Sequence, residues 1–100
     1  MDPYERLASA IVAQAEKDYI NYHKKIKQCN DNINKIIDNI TKYNLEPSMH
    51  KIEEIERKIS RFRSEIDEIV YFFKSAWFRT LSDRDPENVL KKLEEKINGG

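Results

Sequence analysis

The stretch that decides the fold is "EIVYFFKSAWFRTLSDRDP", residues 68–86, which holds half of the chain's ten aromatic residues. On one continuous helix, at about 100° per residue, its apolar side chains cover an arc of about 160°. That arc is wider than contact with a single neighbouring helix needs, so it predicts a junction with two other helices. Its members are Ile69, Val70, Phe72, Phe73, Ala76 and Trp77.

Two aromatic side chains of the same stretch, Tyr71 and Phe78, fall on the opposite side of this predicted helix. Exposed aromatic residues often mark a protein interface. With Arg79 and Arg84 nearby, they form a candidate partner-binding surface. The alternative is that the chain turns back after Leu81 and covers Phe78 with a further helix, and the sequence leaves both interpretations open.

Two heptad patterns flank the central segment "KYNLEPSMH", residues 42–50. Apolar residues recur in alternating steps of three and four over residues 4–40 and again over residues 52–76, which is typical of helices that pack along a seam. Asp2 and Pro3 have the residue types that begin a helix. The pattern predicts a helix over 3–42, a turn over 43–48 and a helix over 49–80, folded back as an antiparallel hairpin.

A third, shorter helix is predicted over residues 86–97, with Asp85 and Pro86 at its start and an apolar stripe that includes Val89 and Leu93. If paired hairpin residues have numbers that sum to about 91, residues 4–10 extend beyond the second helix. The third helix should then cover Tyr4, Leu7, Ala8 and Ile11. The predicted fold class is all-α: one domain, 1–100, with a long coiled-coil-like hairpin and a short C-terminal helix packed at the termini end.

Composition excludes several classes of function. The 18 basic and 18 acidic residues balance, so the chain has no bulk attraction for nucleic acid or anionic membranes. The single cysteine, Cys29, forms no internal disulfide, which suits a reducing cytoplasm. Neither a signal peptide nor a membrane span is recognisable. We therefore expect a cytoplasmic protein that does not bind membranes.

The residues that could carry chemistry are few and scattered. In the predicted register, His23 and His50 lie roughly 27 Å apart along the hairpin, and Cys29 belongs to the seam, so no metal site is expected. No serine lies at a sequence spacing from a histidine that would suggest a catalytic pair. No glycine-rich loop is present to bind a phosphate or an oxyanion. The sequence predicts no enzyme activity, no catalytic residues and no cofactor.

A candidate nucleic-acid patch comes from two basic segments, residues 23–27 and 56–63, which the register brings together on the hairpin. Basic residues on one face can follow a phosphate backbone. Glu54, Glu56 and Glu65 interleave with them, so the charged exterior of a coiled coil explains the pattern equally well. The patch residues are Lys24, Lys25, Lys27, Arg57, Lys58, Arg61 and Arg63.

Two segments carry a resemblance to known proteins: "YERLASAIVAQAEKDY", residues 4–19, and "FFKSAWFRTLSDRDPENVLKKL", residues 72–93. They resemble small proteins encoded by phages, prophages and integrative elements of low-GC Gram-positive bacteria. The likeness covers about two fifths of the chain, at its two ends. This sequence departs from the pattern at Tyr71, where a basic residue is usual, and at Pro86, where glycine is frequent.

The resemblance implies a context rather than a chemistry. It leads us to expect an accessory protein that binds a macromolecular partner without catalysis, such as an inhibitor of a host defence system of the anti-CRISPR kind. The expected partner is a host protein, and the chain itself is a monomer or a homodimer. Two other functions stay open: a nucleic-acid-binding regulator that uses the basic patch, and a self-associating helical module.

Overall fold

The computed structural model describes residues 2–44 and 49–99, and within these ranges it contains helices and no strand. The predicted all-α class is confirmed. The helices are α1 (Pro3–Tyr43), α2 (Met49–Lys74), α3 (Ala76–Leu81) and α4 (Pro86–Gly99).

Both ends of α1 are capped by the residues that its sequence offers. The backbone N–H of Glu5 donates to Oδ1 of Asp2 at 2.8 Å, and Pro3 occupies the first helical turn. At the other end, Asn44 adopts the left-handed conformation, with φ 51° and ψ 43°, and its N–H donates to the carbonyl of Ile40. The rest of the predicted turn, 45–48, lies outside the described residues.

The hairpin of α1 and α2 sets the long shape of the molecule, which measures 61 × 25 × 20 Å. The 41 residues of α1 account for about 61 Å at 1.5 Å per residue. Along the stalk, Asn30 and Ile33 of α1 line one depression with Ile59 and Ser60 of α2. These neighbours fit the predicted antiparallel register.

The hydrophobic core lies where α3 and α4 join the hairpin. α4 packs against both α1 and α2, so this end has the three-helix cross-section that the wide apolar arc predicts. All four helices contribute buried side chains to one continuous cluster. Its members are Val12, Tyr19, Ile66, Phe73, Phe78, Val89 and Leu93.

The prediction of one helix over 49–80 is wrong at Ser75, because α2 ends at Lys74 and a separate helix begins at Ala76. Ser75 has an extended backbone, with φ −80° and ψ 159°. Its hydroxyl donates to the carbonyl of Phe72 at 2.6 Å and accepts from the N–H of Phe78 at 3.3 Å. Serine thus ends one helix and caps the next, replacing part of the interrupted backbone hydrogen bonding.

The break at Ser75 reverses the predicted roles of two neighbouring aromatic residues. Trp77, predicted in the core, is 58% exposed, and Ala76 is also exposed. Phe78, a candidate for partner contact, is 0% exposed. The regular step of 100° per residue no longer applies past an extended residue. In the new direction of the chain, the ring of Phe78 packs edge-to-face against that of Phe73, with 5.2 Å between the ring centres.

The N-terminal turns of α1 are covered less than predicted. Ala8 is buried and Ile11 is half-buried, but Tyr4 is 56% exposed and Leu7 is 61% exposed. α4 therefore does not cover the whole apolar stripe of this segment, and part of the stripe faces solvent.

Replacing Ser75 with alanine is expected to lower the free energy of unfolding by about 1 kcal/mol, because it removes the hydroxyl that caps α3. Urea unfolding followed by circular dichroism measures this loss. Ser64→Ala is the matched control, since Ser64 lies exposed within α2 and caps no helix. Equal stability of the Ser75 variant and the wild type would contradict a capping role.

Candidate functional site

The four residues predicted to bind a partner do not form one surface. Phe78 belongs to the core, whereas Tyr71 is 77% exposed, and Arg79 and Arg84 are exposed. Nη1 of Arg84 lies 2.7 Å from Oε1 of Glu16, so this guanidinium ties the segment before α4 to α1. Partner contact by Phe78 is therefore wrong, and the alternative interpretation, in which the chain turns back after Leu81 and a further helix covers Phe78, agrees with the buried cluster that Phe78 shares with Val89 and Leu93 of α4.

The seven residues of the predicted nucleic-acid patch are exposed, and several of them lie beside different depressions of the surface. Lys25 and Arg61 meet at Phe62, with Nζ of Lys25 5.5 Å and the guanidinium carbon of Arg61 5.6 Å from its ring centre. Lys24 and Lys27 line a different cleft, next to α4. The two basic segments thus meet at Phe62, whereas Lys24 and Lys27 belong to the cleft.

The cleft next to α4, here called the α4 cleft, is lined by residues that include His23, Lys24, Lys27 and Lys96, and it has a volume of about 620 Å³. The His23 ring lies 4.7 Å from the ring of Tyr19. Burial lowers the pKa of His23 below its ordinary value of 6.5, and the carboxylate of Glu94 opposes this shift. At neutral pH the imidazole is therefore uncharged.

Burial also raises the pKa of Tyr19, and Glu94 adds to the shift. The Nε2 atom of His23 is buried, and no hydrogen-bond partner for it lies within the described residues. Solvent does not reach this atom, so His23 belongs to the packing under the cleft rather than to an open binding surface.

An apolar groove lies on the other side of α1. Its apolar lining comes from α1, α2 and α3, and its volume is about 370 Å³. We call it the apolar groove and define it by Ile11, Ala15, Tyr22, Ile69, Phe72 and Trp77.

Trp77 owes its place in the apolar groove to the break at Ser75. Its indole ring meets Phe72 edge-on, with 5.6 Å between ring centres and an interplanar angle of 85°. More than half of the residue is nevertheless exposed. Sequence reasoning missed Trp77 as a surface residue; the available signal was Ser75, a good helix-capping residue three positions before Phe78.

The apolar groove continues towards the N-terminus of α1. Tyr4 and Leu7 lie on the same helical stripe as Ile11, two turns and one turn before it respectively, and both are more than half exposed. Isolated apolar residues are common on protein surfaces, but a contiguous stripe of them usually marks an interaction site. The stripe and the groove together form an extended apolar surface.

Carboxylates line the rim of the apolar groove: Asp18 on α1, and Glu65 and Glu68 on α2. Asp18 accepts a hydrogen bond from Nε2 of Gln14 at 2.8 Å. Within residues 2–44 and 49–99, the ion pairs join His50 to Glu54 and Arg84 to Glu16, so none involves this rim. The rim therefore carries negative charge beside an apolar floor.

The described residues form neither a metal site nor a membrane span. Within the described part of the chain, no three His, Cys, Asp or Glu side chains come together to hold a metal ion. Cys29 is a half-buried thiol in the hairpin. No described helix combines the length and the apolar character that crossing a bilayer requires.

The lining of the apolar groove has a larger apolar share than that of the α4 cleft, and the groove can bind another molecule without any catalytic group. Comparison with protein-family models, with curated proteins and with solved structures gave no match to this chain.

Proposed function

We propose that this chain is a non-catalytic accessory protein that binds another protein through the apolar groove. The observation that carries the proposal is the half-exposed Trp77 beside Phe72 and Ile11. Tryptophan is enriched among the residues that dominate binding energy at interfaces. Its side chain also loses little conformational freedom on binding, because it has only two rotatable bonds.

The biological context of the proposal comes from the resemblance of residues 4–19 and 72–93 to phage and mobile-element proteins. Both segments contribute to the apolar groove, through Ile11 and Ala15 in the first and Phe72 and Trp77 in the second. We propose that the partner is a host protein in the cytoplasm, with a component of a host defence system as the leading candidate. Binding would block that component by occupying its surface.

A nucleic-acid-binding regulator is the second candidate, favoured by Lys24, Lys27 and Lys96 around the α4 cleft. Asp31 lines the same cleft and Glu94 lies near His23, so the local excess of positive charge is small. Phosphate binding would make affinity fall steeply with salt. Protein binding through an apolar groove depends much less on salt.

The proposed function is tested by immobilising the protein and quantifying what it retains from a low-GC Gram-positive host lysate at low and high salt. We expect one host protein to be retained at both salt concentrations, and Trp77→Ala to reduce its recovery at least ten-fold. Tyr43→Ala is the matched control, because Tyr43 is 60% exposed at the far end of the stalk. Equal recovery by Trp77→Ala and wild type, or retention of nucleic acid alone, would contradict the proposal.

A further inference from the structure

The apolar groove has the geometry of an unfilled helix position. The α1–α2 hairpin has two sides, and α4 packs along one of them against both helices. At about 100° per residue, the groove residues of α1 lie roughly half a turn from the α1 residues that line the α4 cleft. The groove therefore occupies the side of the hairpin that α4 leaves uncovered.

A helix is the partner element that fits such a surface best. Two antiparallel helices leave a groove between their ridges, and a third helix packs into it with interaxial distances of about 8–10 Å. Binding of an amphipathic helix in an apolar groove is a recurrent mode of peptide recognition. A strand would need a sheet edge to pair with, and the described ranges contain no strand.

The length of the exposed apolar stripe on α1 determines the length of the partner helix that would cover it. The stripe on α1 runs from Tyr4 through Leu7 and Ile11 to Tyr22. At 1.5 Å per residue this is about 27 Å, or about five helical turns. A partner helix that covers the whole stripe has about 18 residues.

The negative charge of the rim determines which charged residues should flank the apolar stripe of the partner helix. Asp18, Glu65 and Glu68 lie beside the apolar floor, and their carboxylates take part in no ion pair among the described residues. Of the nearby cations, Arg61 lies over the ring of Phe62, and Lys25 lies over the rings of Phe62 and Tyr22 at one end of the groove. Lysine or arginine residues flanking the apolar stripe of a partner helix would therefore complement this rim.

The same charges disfavour two other occupants. Nucleic acid and anionic lipid would place phosphates against the carboxylates of the rim. In a two-fold dimer formed across the apolar groove, the same patch of both copies meets, so the acidic rims of both copies enter one interface. Like charges brought together in this way oppose association.

Resting on the proposed function, we propose that the apolar groove binds a cationic amphipathic helix of about 18 residues supplied by the partner protein. The apolar side chains of that helix contact Trp77, Ile11 and Leu7. Its lysine or arginine side chains pair with Asp18, Glu65 and Glu68.

The fluorescence of Trp77 reports directly whether the apolar groove is occupied, because Trp77 is the only tryptophan of the chain and is 58% exposed. The probe is a synthetic 18-residue peptide of leucine and lysine, with leucines at helical i, i+3, i+4 and i+7 spacing and no aromatic residue. A second peptide has glutamate in place of every lysine. Because the protein carries a formal net charge of zero, bulk attraction does not favour either peptide.

We expect the lysine peptide to shift the emission of Trp77 to shorter wavelength and to bind at least ten-fold more tightly than the glutamate peptide. The double variant Glu65→Lys, Glu68→Lys should weaken binding of the lysine peptide at least ten-fold. The matched control, Glu53→Lys with Glu56→Lys, makes the same change in net charge on the same helix outside the rim and should leave that affinity within about two-fold.

Three results would overturn the inference: equal affinity for the two peptides, equal weakening by the rim and control variants, or a dimer by light scattering in which Trp77 already emits at short wavelength. The last result would assign the groove to a second copy of this chain.

The proposed function fails separately, when Trp77→Ala retains the host protein as well as wild type does. A host protein lost with Trp77→Ala but no preference for the lysine peptide would leave the function standing and remove the cationic helix.

Discussion

Phe78→Ala is expected to lower the free energy of unfolding by about 3–5 kcal/mol, which is a large part of the stability of a small domain. Phe78 is 0% exposed and meets Phe72 and Phe73 with 5.9 and 5.2 Å between ring centres. Truncation removes these edge-to-face contacts and leaves a cavity between α2 and α4. Urea unfolding followed by circular dichroism at 222 nm measures the change.

Trp77→Ala is the control for Phe78→Ala, since it removes a larger side chain from the adjacent position. Because Trp77 is more than half exposed, its loss should cost under about 1.5 kcal/mol. Phe78→Leu keeps most of the buried volume and should fold even where Phe78→Ala does not, at a cost of about 1–2 kcal/mol. A larger loss for Trp77→Ala than for Phe78→Ala would mean that α2 continues past Ser75 as one helix.

The helical hairpin could be predicted from sequence because its signals are local and repeated. Apolar residues at alternating steps of three and four specify a helix and its buried side together. Asp2, Pro3 and Asn44 mark the ends of α1 by their own conformational preferences. Many weak signals point to the same answer along α1, and the structure agrees with them.

The sequence placed Trp77 wrongly in the core and left the environment of Phe78 open, because both depend on tertiary packing. Up to Lys74 a continuous helix and a broken one have the same apolar pattern. The break costs backbone hydrogen bonds, and the chain recovers free energy by burying Phe78 against Phe73 and α4. The angular positions of residues on one regular helix take no account of this gain from tertiary packing. They therefore assign both aromatic residues to the wrong environment.

The apolar groove was hidden from sequence reasoning for the same reason. Ile11, Phe72 and Trp77 all have residue types expected in a core. The seam pattern assigned Ile11 there, and the wide apolar arc assigned Phe72 and Trp77. The placement of α4 on the other side of the hairpin, together with the break at Ser75 for Trp77, leaves them half covered or exposed. The acidic rim gave no signal either, because Asp18, Glu65 and Glu68 look like ordinary charges on a helix exterior.

Leu93→Ala is expected to lower the free energy of unfolding by about 2–5 kcal/mol, because Leu93 is 1% exposed and is one of two fully buried side chains that α4 contributes. Leu93→Met, which nearly conserves volume, should cost under about 1.5 kcal/mol. Lys91→Ala lies on the exposed side of the same helix and should change stability by less than about 0.5 kcal/mol.

Loosening of α4 has a second consequence that an overall loss of stability would not produce. Burial is the larger cause of the lowered pKa of His23, so partial detachment of α4 in Leu93→Ala should move that pKa up towards 6.5 in the folded protein. Proton NMR titration of the imidazole measures this shift. The same titration of the wild type is the reference.

The lowered pKa of His23 also predicts the direction in which stability changes with pH. Because the pKa of His23 is lower in the folded state, the unfolded chain binds more protons as the pH falls through about 6.5. The wild type should therefore lose stability between pH 7.5 and pH 5.5, and Leu93→Ala should show a smaller loss over that range. An unchanged pKa of His23 together with a large loss of stability would mean that Leu93 supports the core without holding α4 over His23.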